Sequence, residues 1–131
     1  MTKPPSGLNR DRPISCGRAA LLIIDAQNAT CGPQDKVQRP EFHAAATENV
    51  IPNIRRLLAA FRKARLEVIY TVIENLTEDG RDRSLDYKLS NMSVAKGSWD
   101  AQVIAEIAPE RGEIVLPKTS SSVFNSTAAS Q

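Results

Sequence analysis

The chain contains three short apolar stretches, and polar or charged residues follow each of them. The first runs unbroken from Ala19 to Ile24 and closes on Asp25. A continuous apolar run of this length is typical of a strand that a parallel sheet buries on both faces. We therefore predict a first strand over residues 19–25. Stretches rich in β-branched residues predict two more strands, over residues 66–73 and 113–117.

A different spacing lies between the first two strands. Apolar residues recur every three or four positions over residues 47–65, which predicts the principal helix. Thr47 is a candidate N-cap, and Pro52 requires either a helix start close by or a kink in a helix that starts earlier. Ser98 is expected to cap a shorter helix over residues 99–107. Residues 28–40 and 76–97 are predicted loops, and the second is long enough to suggest a function.

This order of elements predicts the α/β class, with a three-layer, Rossmann-like parallel sheet and right-handed crossovers. Three strands are few for such a sheet, so the chain is expected to be the first half of a larger domain, truncated after the third strand. Residues 1–17 are rich in proline, glycine and charge and are predicted to be a flexible amino-terminal segment. Residues 18–127 form the incomplete domain, and residues 128–131 form a tail.

Composition narrows the classes of function. The net charge is only +2 and the basic residues are dispersed, which disfavours nucleic acid and anionic membranes as partners. No apolar run is long enough to span a membrane, and the amino terminus lacks the apolar core of a secretory signal. Two cysteines, Cys16 and Cys31, form no disulfide or metal framework. We predict a soluble cytoplasmic protein.

Candidate chemistry lies where strands end. Asp25 follows the first strand and Lys118 follows the third. Carboxyl ends of parallel strands meet at the edge where α/β sheets bind ligands, so both side chains are expected to share one crevice. There they would hold each other charged and could lower the pKa of a nearby nucleophile. The alternative is that Asp25 only caps the following turn.

Other sites built on strand ends fit less well. A phosphate-binding P-loop needs glycine before its Lys-Thr pair, and Pro117 stands there instead. The first strand lacks the glycine-rich fingerprint of dinucleotide-binding folds. A phosphate-accepting receiver domain needs a second aspartate at a central strand end, and Glu74 stands there instead. This alternative stays open.

Four stretches of the chain carry a resemblance to a known family. They read A-L-L-I-I-D-A-Q-N at residues 20–28, V-I-P-N-I-R-R-L-L-A-A-F-R at 50–62 and V-I-Y-T at 68–71. The most specific is K-G-S-W-D-A-Q-V-I-A-E-I-A-P-E-R-G-E-I-V-L-P-K-T-S-S-S-V-F-N-S-T at 96–127. The chain resembles the amino-terminal part of the isochorismatase-like cysteine hydrolases, and is most similar to their ureidoacrylate and biuret amidohydrolase branch.

The resemblance implies a catalytic triad of Asp, Lys and Cys. Asp25 matches the general base, and Lys118 matches the lysine that stabilises the thiolate and developing negative charge. The cysteine would attack a small amide, ureide or carbamoyl compound and form a thioester. Its matching position lies beyond Thr127 and is absent from this sequence. Neither Cys16 nor Cys31 stands at that position, and Cys31 is a remote candidate for a substitute nucleophile.

The resemblance also implies further site residues and partners. Gln27, Trp99 and Phe124 are the candidates for substrate binding, although core packing is an equal alternative for Trp99. Metal-binding members carry Asp-x-His near the second strand, whereas the only histidine here is His43, so we predict neither metal nor other cofactor. Full-length relatives are expected to be homo-oligomers.

Two hypotheses about function follow. The chain either belongs to a cysteine amidohydrolase, or is a catalytically inactive, truncated fragment or partner-binding remnant of one. A cysteine at the start of a helix after a further strand would distinguish the first hypothesis.

Overall fold

Three parallel strands form the centre of the fold, in the order β1-β2-β3. The computed structural model describes residues 15–126. Strand β1 spans Ala20–Ile24, β2 spans Glu67–Ile73 and β3 spans Ile114–Lys118. Each lies within one residue of its predicted bounds, because runs of apolar and β-branched residues favour the extended conformation. Both pairings are parallel, and Leu22, Ile69 and Ile114 lie side by side across the sheet. The predicted α/β parallel sheet is confirmed.

The principal helix begins earlier than predicted. Helix α3 spans Pro40–Ala45, a π-helical segment covers Ala46–Val50, and α4 spans Ile51–Lys63. Thr47 is therefore not an N-cap; its hydroxyl donates to the carbonyl of His43 within the helix, over 2.8 Å. Pro52 has no N–H and its ring crowds the carbonyl four residues earlier. The wider π turn lies just before this proline, where such crowding is accommodated.

Both predicted loops contain short helices. Helix α1 spans Asn28–Cys31 and α2 spans Asp35–Gln38, within the first loop. Helix α5 spans Leu85–Leu89, within the second. None of these helices exceeds five residues, so none could be stable by propensity alone. Long-range hydrogen bonds hold α1 and α5, and a local ion pair between Asp35 and Arg39 holds α2. Hydrophobic periodicity cannot detect elements so short.

The predicted helix over residues 99–107 is wrong. Two 3₁₀ turns, Trp99–Ala101 and Ala105–Ile107, flank an extended segment in which Val103 forms an antiparallel bridge with Gln27. The amide of Asn28 bonds to Gln102, and the amide of Ile104 bonds to Ala26. These tertiary bonds replace helical ones. Ser98 precedes the first turn, but its hydroxyl forms no cap and is buried without a partner in the described chain.

One face of the sheet carries the main core. Ile23, Val68 and Tyr70 pack there against Leu58 of α4 and Ile107. On the opposite face, Leu22 is 40% and Ile24 is 60% exposed. Burial of β1 on both faces is thus contradicted: β1 is an edge strand, and no described element covers this side of it.

The remaining described elements are short. A 3₁₀ turn covers Cys16–Arg18, and helix α6 spans Val123–Ser126. Most of the predicted flexible segment, residues 1–14, lies outside the described residues, as do Thr127 and the predicted tail. No helix in the described range is long and apolar enough to cross a membrane.

Candidate active site

An ion pair joins the two charged strand ends. The ammonium Nζ of Lys118 lies 2.9 Å from Oδ2 of Asp25. Asp25 directly follows β1 and adopts a left-handed backbone with φ of 55°. Aspartate tolerates this conformation better than most residues. The backbone amide of Asp25 still donates a hydrogen bond to the carbonyl of Thr71, over 3.0 Å. Asp25 is therefore anchored to the sheet although its backbone conformation is left-handed.

Lys118 is almost fully enclosed, at 2% exposure. Its ammonium donates to the hydroxyl of Tyr87 at 3.1 Å and to the carbonyls of Ser120 and Ser121 at 3.2 and 3.3 Å. Burial by itself lowers the pKa of Lys118. The bonds to Asp25 and Tyr87 outweigh burial, and the pKa is raised above its usual value. The amine is therefore a buried, fixed cation at neutral pH.

A second partner orients the carboxylate. The hydroxyl of Thr71 donates to Oδ1 of Asp25 over 2.9 Å, and Thr71 is 1% exposed. Each carboxylate oxygen thus has one fixed partner, while the Asp25 side chain remains 22% exposed. The group is held in one orientation and keeps an accessible surface. Such an arrangement suits proton transfer next to a positive charge.

Sequence reasoning missed Thr71 and Tyr87. Thr71 is paired with Ile24 in the sheet, and a polar residue in an apolar strand was the available signal. Tyr87 lies on α5, in a segment predicted as loop, and no local pattern marked it. The amide of Ser84 bonds to the carbonyl of Thr119, which ties α5 to the segment after β3.

Gln27 lies two residues after Asp25, and its side chain points into the protein. Its side chain is fully buried, at 0% exposure. Nε2 donates to the carbonyls of Ile73 and Asp100, both at 2.9 Å, and Oε1 accepts the amide of Ile73 at 2.5 Å. The side-chain amide of Gln27 thereby joins the ends of β1 and β2 to the 3₁₀ turn Trp99–Ala101. Direct contact between Gln27 and a substrate remains a prediction, and the side chain has no surface in this structure to make it.

The two aromatic candidates are exposed. Trp99 is 53% exposed, and its carbonyl accepts the side-chain amide of Asn28 at 2.8 Å. Phe124 is 65% exposed on α6. Within residues 15–126, neither side chain has a hydrogen bond, ring contact or ion pair with Asp25 or Lys118. Their roles stay predictions.

Neither cysteine contacts the ion pair in the described range. Cys16 is exposed in the turn before β1. Cys31 ends α1 and is half-buried; the hydroxyl of Thr30 lies 3.7 Å from its Sγ and also bonds to the carbonyl of Asp25. Cys31 and Asp25 line one cavity of about 380 Å³. Across the described chain, no group of three His, Cys, Asp or Glu residues has metal-binding geometry.

A family model described as the isochorismatase domain matches residues 19–131. The chain belongs to the isochorismatase family. This confirms the resemblance seen in the sequence. This chain is 34% identical to ureidoacrylate amidohydrolase RutB of Variovorax paradoxus (strain S110). The match covers 83% of this chain and 50% of that RutB. RutB of Enterobacter sp. (strain 638) is 33% identical, with 83% of this chain and 54% of the relative covered.

Solved structures agree with this assignment. The cysteine hydrolase from Pseudomonas syringae pv. phaseolicola 1448A superposes with a TM-score of 0.72 at 27% identity, covering 88% of this chain and 53% of the other. This chain therefore has the fold of the isochorismatase family and lies near the RutB branch. It spans about half the length of the curated relatives it matches.

Proposed function

We propose that this chain is part of a hydrolase that cleaves a C–N bond in a small amide, ureide or carbamoyl compound. The observation that carries the proposal is the 2.9 Å contact between Asp25 and the buried amine of Lys118, at the carboxyl ends of their strands. Ligands of open α/β sheets bind at this edge. Membership of the family and similarity to RutB supply the reaction class.

In this proposal, Asp25 is the general base and Lys118 the electrostatic stabiliser. A cysteine thiol transfers its proton to Asp25 while its sulfur attacks the substrate carbonyl carbon. The ammonium of Lys118 stabilises the negative charge that develops. The C–N bond breaks as Asp25 returns the proton to the departing nitrogen, and water then hydrolyses the thioester. The nucleophile is a third group, which neither Cys16 nor Cys31 supplies.

The other site residues have supporting roles in this proposal. Tyr87 and Thr71 position the lysine and the carboxylate through the bonds at 3.1 and 2.9 Å. Trp99 and Phe124 contact the substrate, and their exposure supports that role. Gln27 shapes the site by joining the strand ends. No cofactor takes part, and the active assembly is a cytoplasmic homo-oligomer.

An inactive fragment or partner-binding remnant is the second candidate function. The uncovered face around Leu22 and Ile24 favours it, because exposed apolar sheet surface recruits a partner. The two candidates differ in catalysis: a fragment binds a partner that completes the sheet and hydrolyses nothing.

A chimaera tests the catalytic proposal. Residues 1–131 are joined to the second half of RutB from Variovorax paradoxus, and release of ammonia from ureidoacrylate is measured. Asp25→Asn and Lys118→Ala should each lower kcat by about 10²–10⁴-fold with circular dichroism unchanged. Lys63→Ala, at an exposed position on α4, is the matched control and should keep its activity.

Two results would refute the assigned roles. One is that either variant keeps more than about half of the turnover, far above what loss of an acid–base group leaves. The other is hydrolysis by the 131-residue chain itself that Cys31→Ser abolishes, which would make Cys31 the nucleophile.

A further inference from the structure

A cleft of about 640 Å³ opens on the helical side of the fold. Neither Asp25 nor Lys118 lines it. Its size is within the range of pockets that bind small molecules, ~300–1,000 Å³. The wall includes Lys36 of α2, His43 of α3 and Arg55 of α4, together with Trp99 and Glu106 from the two 3₁₀ turns.

The charges that line this cleft are unbalanced. Lys36, Arg55 and Glu106 form no ion pair with any described residue, and the remaining titratable groups on the wall are His43 and the Cys31 thiol. The two cations and one carboxylate together leave a net charge of +1. A single negative charge in the cleft would balance it. Positive groups gathered without a partner in a concave site attract an anion.

The rest of the wall suits a flat apolar body. Trp99 is 53% exposed, and apolar side chains such as Ile51, Val103 and Ile104 form much of the lining. Asn28, only 7% exposed, also lines the cleft. Its Nδ2 donates a hydrogen bond to the carbonyl of Trp99, whereas its Oδ1 accepts no hydrogen bond from a described residue. A planar molecule could stack on the indole while its charged end lies near Lys36 and Arg55.

We propose that this cleft is a second binding site, for a small monocarboxylate with a flat, apolar body. The carboxylate lies between Lys36 and Arg55, and the body packs on Trp99. Neither Asp25 nor Lys118 lines this site, so the proposal does not rest on the hydrolase activity; of the residues proposed to contact the hydrolase substrate, Trp99 alone also lines the cleft. Arginine provides the main contact, because its planar guanidinium can bind a carboxylate through two parallel hydrogen bonds.

Fluorescence measures this binding directly, since Trp99 is the only tryptophan. The full chain is titrated with sodium benzoate at constant ionic strength, and separately with benzamide, the neutral analogue. Benzoate should change the emission saturably, and benzamide should not. Arg55→Gln and Lys36→Gln should each weaken benzoate binding by about five- to tenfold.

Arg56→Gln is the matched control, because Arg56 is the next residue on α4, carries the same charge and does not line the cleft. It should leave the dissociation constant within about twofold, as expected for an exposed charge outside the cleft that salt screens. Equal binding of benzamide, an equal effect of Arg56→Gln and Arg55→Gln, or no saturable change with benzoate would each overturn the proposal.

Discussion

Asp25 and Lys118 are in contact although their strands are not neighbours. Strand β2 lies between them, and adjacent strands are about 4.8 Å apart, so the two backbones are separated by about 10 Å. The long side chain of Lys118 crosses this gap to reach within 2.9 Å of the carboxylate. Thr71, on the intervening strand, bonds to the other carboxylate oxygen. The pair therefore depends on all three strands being in register.

Removal of the Tyr87 hydroxyl should lower the pKa of Lys118. The tyrosine oxygen accepts a bond from the ammonium at 3.1 Å and so stabilises the charged form against the cost of burial. In Tyr87→Phe the ammonium loses this hydrogen bond, so the energetic cost of burying its charge is offset less. The titration of the Lys118 side chain can be followed by NMR with carbon-labelled lysine.

The matched control is Tyr70→Phe, which removes the hydroxyl of the other tyrosine in the sequence. That hydroxyl bonds to the carbonyl of Ile107 at 3.0 Å, away from Lys118. An unchanged pKa of Lys118 in Tyr87→Phe, or an equal fall in both variants, would show that the tyrosine does not position the amine.

Gln27→Leu should destabilise the fold by about 2–4 kcal/mol. The substitution conserves approximate size but leaves the amide of Ile73 and the carbonyls of Ile73 and Asp100 without their side-chain partner in a buried region. Gln38→Leu is the control, since Gln38 is exposed on α2. Urea denaturation of both variants gives the free energies of unfolding. A cost for Gln27→Leu no greater than that of the control would contradict this role.

Asp82→Asn should destabilise the protein at neutral pH and have a smaller effect in acid. The carboxylate accepts the amides of Leu76 and Thr77 at 2.8 and 3.1 Å. Burial by itself raises the pKa of Asp82, but these bonds and the Thr77 hydroxyl lower it to about 2. Because the folded pKa lies below the ordinary one, the stabilisation is complete above pH ~4 and is lost as the pH falls through about 2.

The expected loss at pH 6 is about 1–2 kcal/mol, typical of a hydrogen-bonded charged group. Thermal melting of wild type and Asp82→Asn between pH 6 and pH 2 checks this, with the exposed Glu78→Gln as control. A difference in melting temperature between wild type and Asp82→Asn that stays constant from pH 6 to pH 2 would contradict the assignment.

The uncovered sheet face should make the 131-residue chain self-associate. Leu22 and Ile24 expose apolar surface beside the unpaired edge of β1, and such an edge is a template for aggregation. Replacing both with threonine, which retains strand propensity, should increase the monomer fraction measured by size exclusion with light scattering. The control is Val37→Thr with Leu89→Thr, which removes even more exposed apolar groups from two separate helices. A wild-type monomer that melts cooperatively above ~50 °C, like ordinary mesophilic domains, would contradict the prediction.

The sequence by itself determined the three strands, their parallel α/β class and the two charged residues at their ends. These features are encoded locally: an unbroken apolar run from Ala19 to Ile24 marks a strand, and the residue after it lies at the sheet edge. The motif over residues 96–127 identified the family for the same reason, because it is a continuous string of residues.

Only the tertiary structure decided what surrounds those charges. Tyr87 reaches Lys118 across 31 residues, and Thr71 reaches Asp25 across 46. The two 3₁₀ turns replace the predicted helix over residues 99–107 because the backbone there bonds to Ala26 and Asn28 instead of to itself. An apolar run does not reveal whether a neighbour covers it, so the exposed position of β1 depends on strand order. Contacts between residues far apart in sequence leave no periodic signal along the chain.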